Sequence, residues 1–227
     1  MNHFKSHAGL TYVTRINKAK NIISILNEYK DLSKCKILDI GTGAGVISSE
    51  LGKLAKEVYS IDVVDERITK KNYKFKKINP NKKLPFKNKF FDIVISNHVI
   101  EHVNDKKFHL AEIFRVLEEN GICYLATPNK LWIIEPHYKL PFLSLLPKKI
   151  ANLYLIITNK GKFYDVNNMS YNSLIKLFRK SFYYENILVK ISKNPKRYNL
   201  EINFLNLTNL LNPIIKVFPF LLNYFTP

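Results

Sequence analysis

The segment Ile37-Leu38-Asp39-Ile40-Gly41-Thr42-Gly43-Ala44-Gly45-Val46 limits the fold more than any other stretch. A short apolar run of the kind that forms a buried strand stops at glycines, and a helix-like stretch follows. Glycine reaches the positive φ angles of a tight turn and lets backbone approach a ligand, and the turn aims the first N–H groups of the next helix at that ligand. The same succession repeats along the chain. Helical periodicity covers 12–30, 44–55 and 105–119, and a short helix is expected after the second strand, through 70. Strand-like runs cover 35–40, 57–61, 73–78, 91–96 and 122–126. This alternation predicts an α/β fold, doubly wound around a mostly parallel sheet with right-handed crossovers.

The pattern changes after Pro128. Residues 129–168 mix proline, aromatic and polar residues without a clean period, which predicts a partly helical insert covering the sheet's ligand end. Residues 170–181 read as a helix and 182–192 as a sixth strand. The apolar stretch 199–227 is interrupted by Pro213, Lys216 and Pro219. A membrane span needs about 20 mostly apolar residues, so a packed or interfacial tail is expected, with membrane contact through 204–225. With no strand pattern there, the sheet's last strand pair is expected to be incomplete. The 227 residues fit a single domain: a ligand-binding core over 1–130, the insert over 129–168 and the tail.

Composition narrows the function classes. With 46% hydrophobic and 24% charged residues the chain is not a disordered one. Two cysteines exclude a disulfide scaffold or a Cys-rich zinc framework. Cys35 and Cys123 fall on the first and fifth expected strands and are expected to be unpaired. The segment Met1–His7 lacks a secretory apolar core, so a cytoplasmic location is expected. The net charge of +18 is carried by 36 basic residues, of which only Arg15, Arg67, Arg115, Arg179 and Arg197 are arginine. Readers of nucleic acid rely on arginine for bidentate and stacking contacts. A lysine excess spread along a chain also rich in Asn and Ile points to genome composition, so a nucleic-acid partner is not expected.

Two carboxylates say more. A dinucleotide loop has the spacing G-x-G-x-x-G; here the glycines stand at 41, 43 and 45, with Asp39 two places ahead. A loop holding phosphate gains little from that acid, whereas a ligand with a cationic amino-acid end gains from it. Asp62 closes the second strand, where a carboxylate can take the two hydroxyls of an adenosine ribose. A ligand with free ribose hydroxyls, a positive charge and an amino-acid tail is S-adenosylmethionine (SAM).

On these residues the chain resembles the class I SAM-dependent methyltransferases. The glycine motif stands as Asp39-x-Gly41-x-Gly43-x-Gly45 and the ribose acid as Asp62. Leu84-Pro85-Phe86, Phe90-Phe91-Asp92-Ile93-Val94, Ile100-Glu101-His102-Val103, Arg115-Val116-Leu117 with Gly121, and Thr127-Pro128-Asn129 follow in the order of the small-molecule and ubiquinone-type branch. The stretch from Glu135-Pro136-His137-Tyr138 to Leu146-Pro147 also looks like a subgroup associated with sugar, lipid or envelope biosynthesis. The resemblance implies a Rossmann-like fold and a cofactor site built from Asp39, Gly41, Thr42, Gly43, Gly45, Asp62, Val63, Asn79, Leu84 and Asn97. Leu84 would lie on the adenine. Where the family has an Asp after the third strand, this chain has Asn79-Pro80-Asn81, and Asn can still accept a hydrogen bond. Asp92 starts a strand, away from the ligand end, and is expected to be structural.

Methyl transfer to a hydroxyl needs a proton acceptor near the methyl group. His98, Glu101 and His102 follow the fourth strand and are the candidates. His98 or His102 can serve as base; the three together can hold a divalent metal, which would need further ligands such as Glu135 or His137; or Glu-His here is a packing feature. The insert supplies the candidate acceptor walls Asn129, Trp132, His137, Tyr138, Phe142 and Tyr164. The implied activity is O-methylation of a small or lipid-linked acceptor. An RNA methyltransferase and a non-catalytic SAM-fold binding protein are the alternatives.

Overall fold

The computed structural model describes residues 12–179 and 181–199. Five strands form one parallel sheet in the order β3-β2-β1-β4-β5: β1 (Lys36–Ile40), β2 (Glu57–Asp62), β3 (Lys74–Lys77), β4 (Phe91–Asn97) and β5 (Leu117–Ala126). All four pairings are parallel. β1 is the central strand; in β4 beside it Phe91, Ile93, Val94 and Ile95 are fully buried, as a strand covered on both faces requires.

Side chains alternate across the sheet, and the two faces have different covers. Leu38, Ile61 and Val94 pack with Leu110, Ile113 and Val116 of α3 (Lys106–Val116). Ile37, Val58, Ile93 and Ile95 pack with Ile22 and Leu26 of α1 (Tyr12–Leu26) and Leu51 of α2 (Val46–Leu51). Helices on both faces make the sheet doubly wound, as expected. Asp105 caps α3 by accepting from the Phe108 amide at 2.9 Å. Asp92 is structural: its Oδ2 accepts from the Lys36 amide at 2.8 Å and ties the starts of β4 and β1 together. Cys35 and Cys123 are both free, and β4 lies between β1 and β5.

The insert contains a small hairpin, β6 (Ile134–Glu135) with β7 (Leu140–Pro141), and the helix α4 (Lys148–Ile157). It has its own core of Leu140, Leu143, Ala151, Leu155, Tyr164 and Val166. After it come α5 (Tyr171–Phe178), whose Leu174, Leu177 and Phe178 pack on the α3 side of the sheet, and α6 (Leu188–Lys193).

Several expected elements differ. Residues 63–73 form bends rather than a helix, because the Ile68 and Thr69 amides both donate to the Ala44 carbonyl at 3.1 Å and pin the segment to the glycine loop. α1 ends at Leu26. α3 ends at Val116, and Leu117 already pairs with Phe91 in β5. The expected sixth strand over 182–192 is absent: the segment is irregular and then forms α6. Its apolar residues Ile187 and Ile191 are four apart, a helical spacing, and pack beside Ile25 and Tyr198. The tail over 200–227 lies outside the described residues. Among the described residues no helix is long and apolar enough to cross a membrane.

Candidate active site

The glycine loop leaves β1 with positive φ at Gly41 (81°), Gly43 (49°) and Gly45 (79°). A Cβ on Gly41 would overlap Val99, and one on Gly45 the Thr69 carbonyl and the Tyr73 hydroxyl. The loop turns its N–H groups inward. Those of Gly41 and Thr42 donate to the Ile61 carbonyl, that of Gly45 to the Thr42 carbonyl at 2.9 Å, and that of Gly43 to Asp62 Oδ2 at 2.9 Å. These four amides are therefore occupied within the protein. Thr42 is buried with its hydroxyl on Ser60; its side chain holds the loop down rather than facing a ligand.

Asp62 ends β2 beside this loop. Its Oδ1 also accepts from the Val63 amide at 2.7 Å. Oδ1 also takes a longer bond from the Val64 amide at 3.4 Å, while Oδ2 keeps a second acceptor site that a ribose hydroxyl can use. Asn79 is exposed just past β3, with Oδ1 accepting from the Asn81 amide at 2.9 Å. The Leu84 backbone is clamped: its N–H donates to Glu112 at 2.7 Å, and its carbonyl accepts from Arg115 at 3.0 Å. Asn97 ends β4, and its Oδ1 is buried with no hydrogen-bond partner among the described residues, an acceptor left for a ligand donor.

Asp39 lies beneath the loop, 2% exposed, with Ser48 donating to it. Burial raises its pKa from the ordinary 3.8 to about 7. The folded chain therefore keeps a proton that the unfolded chain releases, and stability is lost as pH rises from about 4 to about 7. Other groups titrate in this range, so the test is differential. Relative to Asp39→Asn, the ligand-free wild type should lose on the order of 3 kcal/mol between pH 4 and pH 8, measured by denaturant titration at each pH.

Beyond β4 the chain places its titratable groups together. His98 has φ 57°, a strained value for a non-glycine residue, and its amide donates to the Ala126 carbonyl at 2.8 Å. Its half-buried ring sets Nδ1 3.3 Å from Oε1 of the fully buried Glu101. Glu101 Oε2 accepts from Thr127 at 3.0 Å. Burial opposes the charge on Glu101, but the facing His98 ring outweighs it, and its pKa lies below the ordinary value. His98 goes the other way: burial lowers its pKa, so the ring is neutral at pH 7.

The insert closes over this point. The Asn167 amide donates to the Glu101 carbonyl at 2.9 Å. His137 Nε2 lies 3.9 Å from Glu101 Oε1, and its Nδ1 is 2.7 Å from buried Glu135. Burial lowers the His137 pKa, but Glu135 outweighs it and the net shift is upward. The His102 and His137 rings meet edge to face at 5.2 Å. Glu101, His102 and His137 also offer ligand atoms within 4.8 Å of one another, a spacing a cation could use.

The other expected acceptor walls differ in their surroundings. Tyr164 is 7% exposed in the insert's core, near Ser144 and Asn168. Tyr138 packs against that core with its hydroxyl on Asp165 at 2.8 Å. Phe142 is exposed. Asn129 turns the chain into the insert, accepting from the Leu131 amide at 3.0 Å, and Trp132 is half-buried one turn later. Two groups were not anticipated in their roles. Glu135 orients His137, and Lys18 of α1 has its pKa lowered to about 8 by burial, partly offset by Glu101. Only the fold of α1 against the site brings Lys18 there.

These features define a Rossmann-like protein whose ligand end suits a nucleoside with free ribose hydroxyls and no phosphate, next to a His–Glu cluster. A family model described as a methyltransferase domain matches residues 38–125. The chain is 31% identical over 166 residues to a ubiquinone biosynthesis O-methyltransferase of Rickettsia canadensis, covering 62% of this chain and 67% of that one. It is 34% identical over 126 residues to the protein of the same name from Pelagibacter ubique, 49% of this chain and 50% of that one. It thus spans about half the length of the Pelagibacter protein, and 30% of the mitochondrial one from Bos taurus. A SAM-dependent methyltransferase structure from Mesorhizobium loti superposes with TM-score 0.56 at 13% identity, over 80% of this chain and 92% of that one. The chain belongs to the class I SAM-dependent methyltransferases, in the small-molecule type.

Proposed function

We propose that the protein methylates a hydroxyl of a small molecule, with SAM as methyl donor. The pairing of neutral His98 with buried Glu101 at the carboxyl end of β4 is the observation that carries this reading. Asp62 and the buried Asn97 Oδ1 supply acceptors for the cofactor's hydroxyl and amino donors, and the inward-turned loop suits a ligand without phosphate. When bound, SAM supplies a methyl on a sulfonium with a neutral leaving group.

Glu101 faces Nδ1 of His98, which fixes the proton there and leaves Nε2 as the base for the acceptor hydroxyl. Glu101 then stabilises the imidazolium. His137, held by Glu135, balances the Glu101 charge from the other side, and the insert excludes water, which strengthens each of these interactions.

Asn129, Trp132 and His137, near the start of the insert, are the residues proposed to face the acceptor. A lipid-linked acceptor belongs to the same proposal. The second reading places a divalent cation among Glu101, His102 and His137, supported by their mutual spacing. Chelator treatment separates the two: unchanged activity supports the His98 base, while loss restored by added magnesium supports the cation. The acceptor class is tested by labelled-SAM transfer to a cell extract divided into lipid, small-molecule and RNA pools. Label in the first two is expected; label in RNA alone overturns the reading.

A further inference from the structure

α4 has two apolar faces. Ala151 and Leu155 are fully buried in the insert's core. Ile150, Leu153, Ile156 and Ile157 are 52%, 57%, 57% and 74% exposed. At about 100° per residue the exposed four fall within a third of the helix circumference, opposite the buried pair. The turn before α4 adds Phe142 and Leu145, 54% and 45% exposed. Singly exposed apolar side chains are ordinary, but a helix face made of them marks an interaction surface.

The charges around it indicate the partner. From Pro136 to Tyr164 the sequence contains no acidic residue and five lysines, at 139, 148, 149, 160 and 162. Lys148 turns inward and donates to the Tyr164 and Val166 carbonyls at 2.9 and 3.0 Å, while Lys149 at the start of α4 and Lys160 and Lys162 beyond its end are exposed. A protein partner would be met by charges of both signs. An apolar helix face bordered by lysines alone matches an anionic lipid surface, with the side chains in the acyl boundary and the ammonium groups among the headgroups. The insert's other side covers Glu101 through Asn167 and His137, so a protein resting on α4 keeps its acceptor crevice close to the bilayer.

We infer that the outer face of α4 is a docking surface for an anionic membrane. This goes beyond the methyl-transfer reading and does not depend on it. It also assigns the contact to the insert rather than to the tail over 204–225.

The test is co-sedimentation of the intact 227-residue chain with vesicles of phosphatidylcholine alone or mixed two to one with phosphatidylglycerol. The wild type should bind the mixed vesicles and bind neutral ones about tenfold less. L153E/I157E, at exposed positions, should lose binding about tenfold or more, and K149E/K160E should lose the preference for anionic vesicles. L54E, exposed on a different surface, should bind as wild type. All variants should bind SAM normally by calorimetry, which shows intact folding and keeps this test separate from the methyltransferase reading. The inference is overturned if the wild type ignores mixed vesicles, or if L153E/I157E binds them undiminished, which places the contact on the tail. It is also overturned if the wild type is a dimer that L153E/I157E makes monomeric without vesicle binding.

Discussion

Asp62→Ala should weaken SAM binding about a hundredfold or more, measured by titration calorimetry on the folded variant. Charge-assisted hydrogen bonds contribute about 1.5–3 kcal/mol each, and the proposed site places the ribose on this carboxylate. The variant also strips the Gly43 amide of its acceptor, so the loop loses one of its ties to β2. Asp62→Asn keeps an acceptor for one hydroxyl and should cost nearer tenfold. An Asp62→Ala protein that binds SAM normally would mean that the acid only shapes the loop.

Glu101→Gln should lower kcat about a hundred- to ten-thousandfold, the range of general acid–base catalysis, with little change in SAM affinity. The amide is isosteric but cannot stabilise a protonated His98, and it leaves His137 facing a neutral group. Glu101→Ala is a poorer probe: removing a buried charge that Thr127 and the Asn167-linked backbone surround costs stability as well. His98→Gln should match Glu101→Gln in kcat, and the double variant should lose little more, because the two residues act as a unit. Full activity in Glu101→Gln would remove the proposed base pair.

The cofactor half of the molecule was legible because its signals are local. Asp39 and Asp62 sit at strand ends that the apolar runs mark, and the glycines leave one backbone solution for the turn between them. The pattern does not show which way the loop's polar groups point; the Thr42 hydroxyl faces Ser60. The Leu84 and Arg115 segments were recognisable, and the fold gives their reason: Arg115 reaches the Phe86 carbonyl at 2.8 Å and pairs with Glu112, which also holds the Leu84 amide.

The second half was harder, for a different reason. Tyr138 and Tyr164 were expected on the pocket because the insert follows β5, but an insert of this size forms a core of its own, and aromatic residues serve a core or a wall equally well. The expected strand at 182–192 rested on apolar content, whereas the four-residue spacing of Ile187 and Ile191 decided in favour of a helix on α1. Lys18 carries no sequence signal at all. Its approach to Glu101 comes from packing between elements more than 80 residues apart in sequence.

The central claim is that the loop and Asp62 hold SAM rather than a dinucleotide. Calorimetric titration of SAM and, separately, of NAD into the 227-residue chain tests it most directly. One site per chain for SAM, with a Kd in the micromolar range and no heat from NAD, is the predicted result; binding of NAD with no binding of SAM would contradict it.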